Sequence, residues 1–316
     1  MKKVTKSMSR RDFVRISATG AIAASMLNST VLMAATKRPE DKEGMTPKDI
    51  RKDFFTYACS GALFLHLNRY YGYPKEDQAF AVAALSGGIL QEGYQCGMLW
   101  GSTLAVGAES FREYGNGNQA ICSVITTTQH LMRSFSARAK CIYCRDITGV
   151  EWSKKLSIPK YMITGKMFKC LNIGKKWAPE AIQAASEGFS DTSTQVPEQV
   201  VSCASEVARK MGASEEEAIM VSGLAGGMGL SGHACGALAT AVWIKSLAWY
   251  KENPDPDTKE MYNPHTKATL DAFYKETGSE MLCSKICGKH FSSVKEHTEF
   301  IQNGGCSKLI ELLSKV

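Results

Sequence analysis

Beyond residue 35 the chain holds no apolar stretch that approaches membrane-spanning length, which excludes a polytopic membrane protein. Runs in which Val, Ile or Thr alternate with polar residues are also missing, so nothing predicts a β-sheet. The sequence has no Walker loop, no dinucleotide fingerprint, no His-Glu-x-x-His pair and no serine nucleophile elbow. Nucleotide, zinc-protease and serine-hydrolase chemistries therefore have no foothold. Cys141-Ile142-Tyr143-Cys144 is followed by Arg145 rather than His, so covalent c-type haem attachment is not expected.

Net charge is also scarce once it is located. The formal value is +7, but residues 1–35 carry six Lys/Arg against one acid, Asp12, and the rest holds 32 basic and 30 acidic residues. A nearly neutral body offers no broad phosphate-binding surface, and no nucleic-acid partner is expected. With 316 residues, 44% apolar and 22% charged, the chain has the composition of one large or two ordinary globular domains.

The basic start has its own logic. Ser9-Arg10-Arg11-Asp12-Phe13 precedes a mildly apolar stretch, Ile16 to Ala35, diluted by six hydroxyl or amide side chains and one Gly. The paired arginines, the aromatic two residues on and the weak hydrophobicity resemble a twin-arginine export signal over residues 1–35. The alternatives are a Sec-type signal or an uncleaved anchor. Cleavage near Ala34 or Ala35 would leave Leu32 or Met33 at the −3 position, an imperfect match. This resemblance implies the twin-arginine translocase as a partner and a periplasmic location, or the outer face of the cytoplasmic membrane. It also implies passage in a folded state, often around a redox cofactor.

The abundant residue is cysteine, eleven in all, and its pattern exposes an internal repeat. Residues 84–99 align without gaps on 223–238, an offset of 139, pairing Gly87/Gly226, Gly88/Gly227, Gly93/Gly232, Cys96/Cys235 and Gly97/Gly236. Cys144 and Cys283 each lie 48 residues after that cysteine. Upstream, Cys59 matches Cys203; downstream, Cys170 matches Cys306. Eight cysteines thus form two ordered sets, leaving Cys122, Cys141 and Cys287 without partners. The first repeat is placed at 46–190 and the second at 196–316, joined by the polar run Ser190 to Gln195.

Both repeats read as helical. Thr46-Pro47-Lys48-Asp49 is a helix start that runs past Cys59 toward Tyr71 and stops at Gly72. Its counterpart is expected from Pro197 through Cys203 to Gly212, and Ser214-Glu215-Glu216-Glu217 supplies a capping box for the next helix. Gly115 to Asn118 and Asn253 to Pro256 read as loops between helices. The predicted fold class is all-α, as two tandem similar helical bundles.

With these residues in place, the chain resembles the C-GCAxxG-C-C family of redox-active proteins, twice over. The first copy, Cys96-Gly97-Met98-Leu99-Trp100-Gly101, has Met98 where Ala is usual; the second, Cys235-Gly236-Ala237-Leu238-Ala239-Thr240, has Thr240 in place of the closing Gly. The resemblance implies a redox role without a defined reaction, which leaves open whether the protein is itself an enzyme. A split-Soret type cytochrome is a relative that carries c-type haem and an iron centre, and only the non-haem centre could be inherited here.

Four thiolates are the minimum set for an iron–sulfur cluster or an all-cysteine zinc site. Cys59, Cys96, Cys144 and Cys170 would serve one repeat, and Cys203, Cys235, Cys283 and Cys306 the other. Their long spacings mean that several helices would have to bring them together. Gly93 and Gly232 allow a turn, and Gly97 and Gly236 let backbone approach closely. If Cys96 and Cys235 open the following helices, the helix N-terminus favours their thiolates. Redox-active dithiols, structural disulfides and buried free thiols remain as rival readings. Cys141-x-x-Cys144 offers a weak dithiol, because the second repeat has Glu280 in place of Cys141. His233 and His290 read as structural, Arg145 is matched by Ser284, and Trp100, Trp243 and Trp249 read as helix-core residues. The redox partner is not legible, and a centre bridging the two repeats or a homodimer stays open.

Overall fold

The computed structural model describes residues 47–152, 154, 156–193, 195–253 and 263–316. The candidate export signal at 1–35 lies outside them, as does most of the loop after Asn253. Fourteen α-helices follow one another, and no strand occurs among the described residues, so the chain is all-α. None of these helices is long and apolar enough to cross a membrane.

The first repeat contains α1 (Pro47–Tyr71), α2 (Glu76–Val82), α3 (Gly97–Tyr114), α4 (Asn118–Ala139), α5 (Cys144–Thr148), α6 (Ser157–Ile163) and α7 (Lys166–Phe189). The second contains α8 (Cys203–Lys210), α9 (Glu215–Met220), α10 (Gly236–Glu252), α11 (Pro264–Thr277), α12 (Cys283–Ile286), α13 (Val294–Gln302) and α14 (Ser307–Lys315). Local chemistry sets many of the boundaries. Ser214 and Glu217 close the expected capping box on α9. Asn263 caps α11 ahead of Pro264, and Ser293 caps α13 through the Glu296 N–H.

Two helices depart from expectation. The helix foreseen from Pro197 begins only at Cys203, where the Ser202 hydroxyl accepts the Ser205 N–H and supplies the cap that Pro197 lacks. Helix α1 breaks at Ala58 (φ 55°, ψ −174°), a conformation close to glycine-only territory, so Cys59 opens its second segment as Cys203 opens α8. Ala58→Gly is expected to relieve this backbone and raise stability by about 1 kcal/mol, read as a higher thermal midpoint.

Helices α1, α3, α4 and α7 pack around the fully buried Phe64, Trp100, Phe135 and Trp177, and α8, α10, α11 and α14 pack around Trp243 and Phe273. Burying each such side chain contributes up to roughly 3 kcal/mol. The repeats are interlocked rather than merely consecutive. Helix α2 of the first lies on α10 of the second, and its counterpart α9 lies on α3 of the first. This reciprocal exchange is the intramolecular form of a two-fold interface.

Gln95 also bonds across to the second repeat, and it is wholly buried. Its Nε2 donates to the Gly227 carbonyl at 3.3 Å, and its Oε1 accepts the Ala234 N–H at 3.2 Å. Ala234 is the residue that matches Gln95 in the other repeat, so the chain joins its two halves at equivalent points.

Candidate functional site

A short antiparallel bridge in each repeat sets the positions of two cysteines. In the first, Gln95 pairs with Tyr143; the Cys96 N–H donates to Ile142 O at 2.7 Å and the Cys144 N–H to Tyr94 O at 2.6 Å. In the second, Ala234 pairs with Leu282; the Cys235 N–H donates to Met281 O at 2.9 Å and the Cys283 N–H to His233 O at 2.6 Å. Every one of these atoms is matched at the offset of 139. The turns before the bridges use Gly93 and Gly232, at φ +84° and +76°, as the sequence requires. Cys96 and Cys235 cap α3 and α10, while Cys144 and Cys283 are the first residues of α5 and α12.

Cys59 arrives from the break in α1, and Gly97 makes room for it: a Cβ at position 97 would lie 2.5 Å from its Sγ. Cys170 comes from the first turns of α7. All four thiols of the first set line one largely apolar cavity of about 380 Å³, together with Phe54, Met98, Ile147, Trp152 and Tyr161.

Helix position does not govern these thiols as expected. Cys96 and Cys235 stand at helix N-termini, yet both are raised above the ordinary thiol value. For Cys96 the hydrogen bond it gives to the Cys59 thiolate comes first, then burial; for Cys235, pushed up to about 12, burial comes first. The helix-terminal effect is small beside desolvation at sites only 4% and 6% exposed. Burial raises Cys144 and lifts Cys170 to about 11.

The exception is Cys59, lowered to about 7 by hydrogen bonds from the Cys96 thiol, the Ser86 hydroxyl and the Gly87 backbone. Its Sγ lies 3.4 Å from Ser86 Oγ. The low-pKa thiolate of the first repeat is therefore Cys59. Its iodoacetamide alkylation in metal-free protein should fall as pH drops through about 7, while Cys96, Cys144 and Cys170 stay slow; Ser86→Ala should move the Cys59 midpoint upward.

The second set converges differently. Cys203, Cys235, Cys283 and Cys306 surround a gap of only about 10 Å³, and a fifth thiol, Cys287, joins them. Cys287 Sγ lies 3.7 Å from Cys283 Sγ and 3.5 Å from Cys306 Sγ. No repeat partner announces it, since the matching residue is Thr148; the available signal is its spacing, one helical turn after Cys283. The side chains of Phe291, His297 and Phe300 close the gap, and burial lowers the His297 pKa to about 4, so its ring is neutral at pH 7.

Among the described residues, no group of three or more His, Cys, Asp or Glu is arranged to hold a metal ion. All eleven cysteines are free thiols. Cys141 faces Asp146 Oδ2 at 3.6 Å, outside the first thiol cavity, and Cys122 is buried in α4. Between the clusters, Tyr143 Oη and His233 Nδ1 share a hydrogen bond at 2.6 Å, and burial lowers the His233 pKa. Arg145 stacks over Tyr94 and Tyr143, an interaction that Ser284 cannot reproduce in the other half. His290 packs against Gly232, in keeping with a structural role.

The profile of the family described as "Putative redox-active protein (C_GCAxxG_C_C)" matches the chain twice, over residues 57–181 and 198–316. The chain belongs to that family. The two matches follow the repeat seen in the backbone hydrogen bonds, and each spans one cysteine set. A redox role for these thiols accords with membership of C_GCAxxG_C_C. Searches of curated proteins and of solved structures gave no match.

Proposed function

We propose that this is an exported redox protein in which Cys59, Cys96, Cys144 and Cys170 hold an iron–sulfur cluster and pass electrons to a partner. The observation that carries the reading is the cavity of about 380 Å³ onto which all four thiols open. The donor set fits such a group: an iron–sulfur cluster would spread its four thiolates over more than one iron, so its ligands would surround a volume rather than converge on one point. A single tetrahedral ion would need its sulfurs about 2.3 Å from a common centre, and no such group is arranged among the described residues. When bound, the cluster supplies one-electron storage.

The chain's own residues prepare the site. Cys59 loses its proton near neutral pH, and Cys96 and Ser86 orient it. Trp152, Tyr161 and Met167 wall off the cavity and lower its polarity. Around the second set the thiols enclose a gap of only about 10 Å³, at the lower limit for one water molecule, which favours the first set as the cluster site. Export rests on Arg10-Arg11 and the weakly apolar stretch that follows.

The test is anaerobic isolation of the full chain, followed by iron and acid-labile sulfide analysis. Stoichiometric iron and sulfide are expected, lost in Cys96→Ser and kept in Cys235→Ser. Less than about a tenth of an iron per chain would overturn the cluster. One observation favours a second reading: the low pKa of Cys59 beside Cys96 also suits a nucleophile and its resolving thiol. That reading predicts metal-free protein in which these two thiols titrate together with dithiothreitol.

A further inference from the structure

We propose that Cys287 and Cys306 form a second redox site, a dithiol that exchanges two electrons with a small, uncharged organic disulfide. The proposal does not depend on a cluster in the first repeat. Cys287, the second repeat's cysteine without a repeat partner, is the C-cap of α12, and Cys306 is the N-cap of α14; their sulfurs lie 3.5 Å apart, the shorter of the two sulfur contacts Cys287 makes. That is a non-bonded contact, and a small closing movement would bring the sulfurs to bonding distance.

Access distinguishes this pair from its neighbours. Cys203, Cys235 and Cys283 are buried, whereas Cys287 and Cys306 are part-exposed and line a groove of about 430 Å³ on the outer side of the cluster. The groove is polar but electrically balanced. Lys285 pairs with Glu280 at 3.2 Å, and Lys308 with Glu276 at 2.7 Å, so each cation on its walls is matched by an acid. Such a groove favours an uncharged disulfide over an anionic one.

The chemistry balances within the pair and its co-reactant. Either thiol, once it has lost its proton, attacks a sulfur of the incoming disulfide, breaking its S–S bond and releasing one thiol. The other then attacks the protein sulfur of that mixed disulfide, forming the Cys287–Cys306 bond and releasing the second thiol. Two electrons and two protons pass to the co-reactant, and the reverse sequence reduces the pair.

The experiment uses the full chain equilibrated in mixtures of reduced and oxidised dithiothreitol, acid-quenched, alkylated and read by mass and peptide mapping. Two second-repeat thiols are expected to disappear together along a two-electron curve, with the bond mapped to Cys287–Cys306. Cys287→Ser should abolish that step, Cys203→Ser should retain it, and neither should change iron content. A map that joins Cys287 to Cys283 or leaves it free overturns the proposal. So does a two-electron step that survives Cys287→Ser, or iron lost from that variant. Absence of iron from the wild-type chain would instead count against the cluster and leave the dithiol standing.

Discussion

Gly236→Ala should lower stability by about 3 kcal/mol or more, while Gly97→Ala should keep the fold and lose the Cys59 thiolate. The two glycines are repeat partners, yet they face different obstacles. A Cβ at 236 would lie 1.8 Å from the Leu224 carbonyl oxygen and 2.5 Å from its carbon. Backbone at that distance has nowhere to go, so α10 must shift and the packing around Trp243 with it. A fall of roughly 6–12 °C in thermal midpoint follows.

At 97 the nearest atom is Cys59 Sγ, at 2.5 Å, and a sulfur can rotate away. The cost there is about 2 kcal/mol, and its main effect is chemical. Once displaced, Cys59 loses the Cys96 and Ser86 hydrogen bonds, and its alkylation midpoint should climb from about 7 toward the ordinary thiol value of 9.0. Equal destabilisation by the two variants, with an unmoved Cys59 midpoint, would contradict this account.

Gln95→Ala tests the coupling of the repeats. Its amide is the partner of the buried Ala234 N–H, and truncation leaves that donor unpaired beside a new cavity. The Gly227 carbonyl suffers less, because it also accepts the Ser231 hydroxyl at 2.7 Å. The combined cost is about 3 kcal/mol, a drop of roughly 6–12 °C in thermal midpoint. If the repeats behaved as independent bundles, unfolding would instead split into two transitions, with the mutation moving neither by much.

The repeat was legible in the sequence because its turns leave little choice of residue. Positive-φ glycines at 93 and 232, and the cysteines that close each bridge, recur at a fixed offset since the same hydrogen bonds must form twice. All-helical structure and the capping box at Ser214 were legible for similarly local reasons. The break at Ala58 was not, because alanine is the best helix former and only the packing of Cys59 beside Gly97 gives the kink a purpose.

Nor was the thiol chemistry fully written in the pattern. Helix position suggested thiolates at Cys96 and Cys235, but acidity here depends on burial and on which sulfur donates to which. Those are properties of side chains as distant in sequence as Cys59 and Cys96, 37 residues apart. Cys287 escaped for a related reason: repeat matching discards residues without a partner, and Thr148 stands in its place.

Iron K-edge absorption of the anaerobically purified chain bears most directly on the idea that four separated helix starts deliver sulfur to a shared cofactor. The account predicts sulfur-only first-shell scattering with a short iron–iron vector, both lost in Cys96→Ser and kept in Cys287→Ser. Iron ringed by oxygen or nitrogen, or lacking an iron neighbour, would contradict it.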